Sequence, residues 1–266
     1  MRGLLTLALG ALLALACAIA PASAQLTLTG AGQGSAAAAG GGGGGGGFAV
    51  TWRGHYEDAT TRTTTDPAYT ATAADLGTAS SDRIIVLAVI SGASTSSAYG
   101  TPTVGGVSMT RANADPAGGT NFAAFWYASV PLGATGDIVV PVTSGTLSRI
   151  SLDWWSITGS ANTAPTTVSN DPARAFAGVD NISTSPFDVP ADGVSLALAR
   201  SNVVSALSTL TCTQTICNTR TNAQTAGESQ WAATGDATGS GLGQTWTFAT
   251  NAGSGSLNIV AIVWEP

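Results

Sequence analysis

The sequence predicts an all-β fold, an antiparallel β-sandwich of jelly-roll-like or immunoglobulin-like topology, preceded by a signal peptide and a Gly-rich linker. Three observations predict it. Short apolar or alternating runs recur between Gly, Pro, Asn and Ser turn signals at roughly the 8–12-residue spacing of a sandwich or barrel. The most apolar run of the interior, Ile84-Ile85-Val86-Leu87-Ala88-Val89-Ile90, is too short and too β-branched for a helix. No segment repeats its apolar residues with a convincing helical period.

The elements follow in chain order. Met1-Arg2-Gly3 gives a positive start, residues 4–20 are apolar, and Pro21-Ala22-Ser23-Ala24 supplies the small residues that a signal peptidase cuts. Residues 1–24 therefore read as a secretory signal peptide, with Gln25 the expected mature start. Cys17 follows Leu15-Ala16, but Ala14 stands where a lipoprotein signal carries a larger aliphatic, which argues against lipidation. Residues 25–47 read as a Gly/Ala-rich tether. Its core is the unbroken glycine run 40–47, which buries no apolar side chain to offset the entropy of ordering it. A solvated linker is the direct reading, and a bundle of polyglycine strands from several copies is its rival.

Residues 48–266 are expected to form one β-sandwich domain. Strands are expected at 48–55, 69–73, 82–91, 121–130, 137–142, 149–158, 193–200, 244–250 and 257–264, with a polar pair at 219–224 and 228–233. The run 82–91 should be a central strand buried on both faces. Residues 101–113 should form a hairpin turning at Gly105-Gly106, a favoured two-residue loop. The closing strand 257–264 is apolar enough to sit in mid-sheet. The polar stretch 160–192, with Pro165, Pro172, Pro186 and Pro190, reads as a crossover or a surface loop. A single domain is preferred because neither half clearly closes its own sheet.

Composition excludes whole classes of partner. Charged residues are 9% of the chain, against about 25% in an average soluble protein. Lysine is absent, the net charge is −6 and the pI is near 4.4. Neither nucleic acid nor anionic lipid is gripped by such a surface. Once the signal is removed, no integral membrane segment is expected. The export signal and the Thr/Ser/Asn/Gly dress point to a secreted, extracellular or periplasmic protein, or to the bacterial cell surface. In that compartment Cys212 and Cys217 are expected to close a local disulfide around Thr213-Gln214-Thr215-Ile216. A zinc site fails on spacing and on the single histidine, His55.

Catalytic signals are sparse. A Ser-His-Asp triad would have to use His55, and no Gly-x-Ser-x-Gly elbow is present. Gly239-x-Gly241 and Gly241-x-Gly243 lack the strand–loop–helix context that holds a phosphate. Glu57, Glu228 and Glu265 are the only glutamates, and the aspartates are scattered, so a glycosidase pair is not evident. No cofactor is expected. Ca2+ is the one metal considered, through Asp171, Asp180, Asn181 and Asp192, which lack the spacing of a calcium loop.

The aromatics give the sharpest candidate. In strand 149–158, Ile150, Leu152 and Trp154 share one face, while Arg149, Ser151, Asp153 and Trp155 share the other. With the first face in the core, Trp155 would stand as a flat apolar surface beside Asp153, with Arg149 further along. Such a face can stack a sugar while its polar neighbours hold the hydroxyls. The alternative is that the 160–192 segment covers Trp155. Trp231 and Trp246 carry the same ambiguity.

Several stretches resemble phage and prophage structural proteins. Leu26-Thr27-Leu28-Thr29-Gly30-Ala31-Gly32 before a glycine run looks like the N-terminus of some of them. The run Ser81-Asp82-Arg83-Ile84-Ile85-Val86-Leu87-Ala88-Val89, then Val104-Gly105-Gly106-Val107, then Trp154-Trp155-Ser156-Ile157-Thr158-Gly159, is similar to their uncharacterised β-sandwich domains. The resemblance implies a structural role and transfers no functional residue. The signal peptide departs from that pattern and favours a domesticated or cell-surface relative. Three readings follow, in order: a secreted or surface-displayed structural or adhesive interaction module, a carbohydrate-binding module using exposed tryptophans, and a glycan hydrolase or lyase. The expected partners are a surface glycan or another protein, with self-association through the glycine run as a further route.

Overall fold

The apolar run beginning at Ile84 is the middle of the first half of the protein, and its alternation is read on both sides. Ile85, Leu87 and Val89 enter one core, while Ile84, Val86, Ala88 and Ile90 enter another. A strand buried on both faces must lie between two layers as well as between two strands. The computed structural model describes residues 47–93, 99–113, 121–177, 180–201, 209–224, 231–250 and 254–266. The expected signal peptide and all of the expected tether except Gly47 lie outside the described residues.

The first half contributes β1 (Ala49–Asp58), β2 (Arg62–Thr63), β3 (Ala68–Asp75), β4 (Ile84–Ala93), β5 (Thr103–Val104), β6 (Val107–Ser108), β7 (Thr110–Arg111), β8 (Asn121–Ser129), β9 (Thr135–Pro141) and β10 (Thr146–Thr158). They form an inner sheet in the order β1-β10-β4-β8-β7, with β2 beside β10, and an outer sheet β3-β9-β5-β6. Every described ladder is antiparallel. The predicted hairpin turns at Gly105-Gly106, both with positive φ, as a two-residue loop of that hand requires.

The second half contributes β11 (Thr167–Ala177), β12 (Asp180–Ser183), β13 (Phe187–Val189), β14 (Val194–Ser201), β15 (Thr209–Cys212), β16 (Ile216–Gln224), β17 (Trp231–Thr238), β18 (Gly241–Gln244), β19 (Trp246–Thr250) and β20 (Ser254–Trp264). Its inner sheet runs β11-β20-β14-β17-β16, faced by the ladders β12-β19-β15 and β13-β18. This repeats the strand order of the first half, with first and last strands paired at one side. β20 lies between β11 and β14, so the closing strand is in mid-sheet as expected.

The two inner sheets face each other. Ile84, Val86, Phe125, Trp155 and Ile157 meet Val194, Leu196, Val260, Ile262 and Trp264 in one shared core. Separate cores lie between each inner sheet and its outer partner. The antiparallel β-sandwich is therefore present, but the body is a four-layer stack of two sandwiches rather than one. The 160–192 stretch is corrected with it. It carries β11, β12 and β13, and Pro172 is accommodated where the register of β11 shifts between Asp171 and Arg174.

One residue closes the first sandwich. Arg83, fully buried ahead of β4, donates to the carbonyls of Leu76 (3.3 Å), Gly77 (2.6 Å), Val130 (2.8 Å), Leu132 (2.8 Å) and Gly133 (2.6 Å). These acceptors belong to the β3–β4 and β8–β9 connections, which one guanidinium fork holds together. Burial away from water lowers its pKa from the usual arginine value, with the Arg53 charge adding to the effect.

Candidate functional site

At one flank of the shared core the apolar side chains give way to polar ones. The alternation predicted for β10 is present: Leu152 and Trp154 enter the first sandwich, and Trp155 enters the shared core. Trp155 is fully buried, Asp153 is 1% exposed and Arg149 is 7% exposed. The open stacking platform expected from Trp155, Asp153 and Arg149 is therefore corrected. Trp155 is covered by the inner sheet of the second sandwich, where Val194, Leu196, Val260, Ile262 and Trp264 share its core. Trp246 is also fully buried, and the side chain of Trp231 lies outside the described residues.

A chain of specific contacts joins the two sandwiches here. The Trp155 indole N–H donates to Asp236 Oδ2 at 3.1 Å. Asp236, on β17, also accepts from Asn218 Nδ2 at 2.9 Å, from Arg220 Nη2 at 3.0 Å and from Arg220 Nε. The Arg220 guanidinium lies over the Trp52 ring, 6.0 Å from its centroid. Trp52 Nε1 in turn donates to Asp153 Oδ1 at 3.2 Å. The loop of contacts thus runs β10–β17–β16–β1–β10 across the layer.

His55 joins this cluster through an irregularity in β1. His55 Nδ1 is 3.4 Å from Asp153 Oδ2, and its Nε2 is 3.9 Å from Glu57. Trp52 and His55 are an odd number of residues apart and would face opposite ways in a regular strand. The register of β1 against β10 shifts between Trp52 and Gly54, and this bulge puts both residues on the Asp153 side. Gly54 is required there, because a Cβ would stand 2.5 Å from the Trp154 ring. Arg220, on the Asn218 side of β16 and at a matching shift between Thr219 and Thr221, reaches Asp236.

The electrostatics define what the cluster can do. Burial alone would lower the His55 pKa, but hydrogen bonds and charge from Asp153 and Glu57 outweigh it and raise the value to about 10. His55 is consequently a cation at neutral pH and has no lone pair to act as a general base. Deeper in the layer Arg200 is completely buried, and its pKa is driven well below the usual arginine value by desolvation and by the Arg149 charge. Asp153 and Asp236 are both shielded from solvent. The arrangement suits cross-linking of the sheets better than proton transfer to a substrate.

Other candidates are placed as follows. Cys212 and Cys217 stand at disulfide distance, Cα–Cα 6.0 Å, across the turn between β15 and β16. Asp171 lies on β11, Asp180 and Asn181 lie on β12, and Asp192 sits in the turn before β14. Among the described residues no group of three His, Cys, Asp or Glu is arranged to hold a metal, and no helix is long and apolar enough to cross a membrane. Sequence reasoning missed Trp52, Asp236 and Arg220. The signal present was the acid Asp236 in a strand pattern, whose partners Trp155, Asn218 and Arg220 come from two other strands, Arg220 from a register shift. Compared with protein-family models, curated proteins and solved structures, the chain has no match.

Proposed function

We propose that this chain is a secreted or surface-displayed structural module that works by adhesion, without catalysis, and is held away from its point of attachment by the glycine tether. The observation that carries the reading is the internal use of Trp155, Asp153, Asp236 and Arg220. Side chains that could bind or turn over a ligand instead tie two sandwiches into one body, leaving a surface of turns and short outer strands. The export signal, the cysteine pair and the lysine-free surface support an extracellular, periplasmic or cell-surface setting. A surface glycan or another protein is the partner class. Nucleic acid is disfavoured by the net charge of −6.

The test is binding of the exported chain to cell envelopes and insoluble polysaccharides, with release of soluble sugar followed in the same tubes. The reading expects saturable binding without release. Sugar release that is lost on Asp153→Asn or Asp236→Asn, in variants that remain folded, would replace it with the hydrolase or lyase reading.

A further inference from the structure

We propose that a groove beside β1 and β10, on the side of the inner sheet that faces the first sandwich, is a subsite for a neutral saccharide. This rests on the adhesive reading and names its partner. The groove lies away from the buried cluster. Ala49, Thr51 and Arg53 of β1 and Ser156 and Thr158 of β10 form one wall, and Thr78, Ala79, Ser80 and Asp82 of the β3–β4 connection form the other. Its volume of about 460 Å³ falls within the range of about 300–1,000 Å³ typical of small-ligand pockets.

Three independent features place Arg53 in it. Alternation along β1 puts Arg53 on the Thr51 and Ser156 side of the sheet, at the start of the register shift. Ser156 Oγ accepts from Arg53 Nε at 2.7 Å and fixes the fork. The guanidinium lies against Gly77, where a Cβ would meet Nη2 at 2.3 Å and Cζ at 2.4 Å. Gly77 also has φ +77°, so glycine is demanded there by conformation as well as by space. Asp82 faces the same groove, held by Ser80 Oγ and by the Gly159 N–H at 2.6 Å. Those hydrogen bonds hold its pKa below the usual carboxylate value, so it remains an acceptor at neutral pH.

The lining selects the ligand class. Arg53 brings one positive charge, Asp82 one negative charge, and Asp75 stands 3.9 Å from Arg53 Nη1. This balance does not favour an anion. The remaining polar lining is the hydroxyls of Thr51, Thr78, Ser80, Ser156 and Thr158. A fork of N–H donors, a carboxylate acceptor and these hydroxyls match the mixed donors and acceptors of vicinal sugar hydroxyls. Ala49 and Ala79 offer the small apolar surface that a pyranose C–H face meets.

The test uses an array of neutral and acidic glycans, then titration calorimetry of the exported chain with the methyl glycoside of the best neutral hit. Wild type is compared with Arg53→Ala and with Ala79→Trp, the latter filling the groove from an exposed position. We expect each variant to weaken binding at least about tenfold, the size of one lost hydrogen bond to a charged group, with Ala79→Trp melting as wild type does. Binding undiminished in Ala79→Trp, recognition of acidic glycans only, or no glycan binding at all would overturn the subsite. Envelope binding that persists in those cases leaves the adhesive reading standing and separates the two failures.

Discussion

The chain has no lysine, and most described arginines are used as forks rather than as point charges. Arg83 holds five carbonyls, and Arg220 joins Asp236 while covering Trp52. Arg83→Leu should therefore lower the unfolding free energy by about 3–5 kcal/mol, because it strands buried acceptors. Chemical denaturation checks this, and a change below about 1 kcal/mol would show that the carbonyls find other donors. His55 makes a prediction in pH. Its folded pKa is raised, to about 10 from an unfolded value of 6.5. Its stabilising contribution is thus complete below about 6.5 and is lost as pH rises toward 10. The difference in melting temperature between wild type and His55→Gln should shrink across that window. A difference independent of pH would contradict the ion pairing with Asp153 and Glu57.

Among the elements, the bulges do more than the regular strands to set the site. The end strands of the inner-sheet orders are β1, β7, β11 and β16, with the two-residue β2 beside β10. Three of them carry a register shift, and β7 is two residues long. Such edges resist strand addition by a second copy. The turn between β15 and β16 is a second device. Gln214, inside the Cys212–Cys217 loop, is buried and donates through Nε2 to Ala237 O at 3.2 Å and Gly239 O at 3.1 Å. It also accepts from Ser195 Oγ, which accepts from Trp246 Nε1 at 2.8 Å. Gln214→Ala should cost about 1–3 kcal/mol. A double-mutant cycle with Cys212→Ser/Cys217→Ser should show coupling of about 0.5 kcal/mol or more, since both changes free the same loop. Strict additivity would deny that the cysteine pair positions Gln214. Short apolar runs between turn signals made β4, β10, β14 and β20 legible as strands, and alternation separated the two faces of β10. Alternation could not register a bulge, so it places Trp52 and His55 on opposite faces although both stand on the Asp153 side.

For the whole molecule, the repeat of strand order is the feature that sequence reading did not reveal. Ile84-Ile85-Val86-Leu87-Ala88-Val89-Ile90 and Val194-Ser195-Leu196-Ala197-Leu198-Ala199-Arg200 share burial, not identity. A polar β11 with a proline at its bulge hid the start of the second copy. The face of β10 that carries Trp155 was identified correctly. What covers it was not, because a second sheet opposite Trp155 leaves no mark in the residues of β10 itself. Two sandwiches sharing a core that contains Trp155 and Trp264 should unfold together, since neither inner sheet can leave water-excluded indoles behind without a large cost. Trp155→Ala should lower stability by about 3–5 kcal/mol, as for other buried aromatic truncations, and denaturant titration would read it. The most direct test is differential scanning calorimetry of wild type beside Asp236→Asn, which weakens the link among Trp155, Arg220 and Asn218. The account predicts one cooperative transition in wild type and a single transition at lower temperature in the variant. Two separate transitions in wild type, or an unchanged melting temperature in Asp236→Asn, would contradict the claim that this cluster joins the sandwiches.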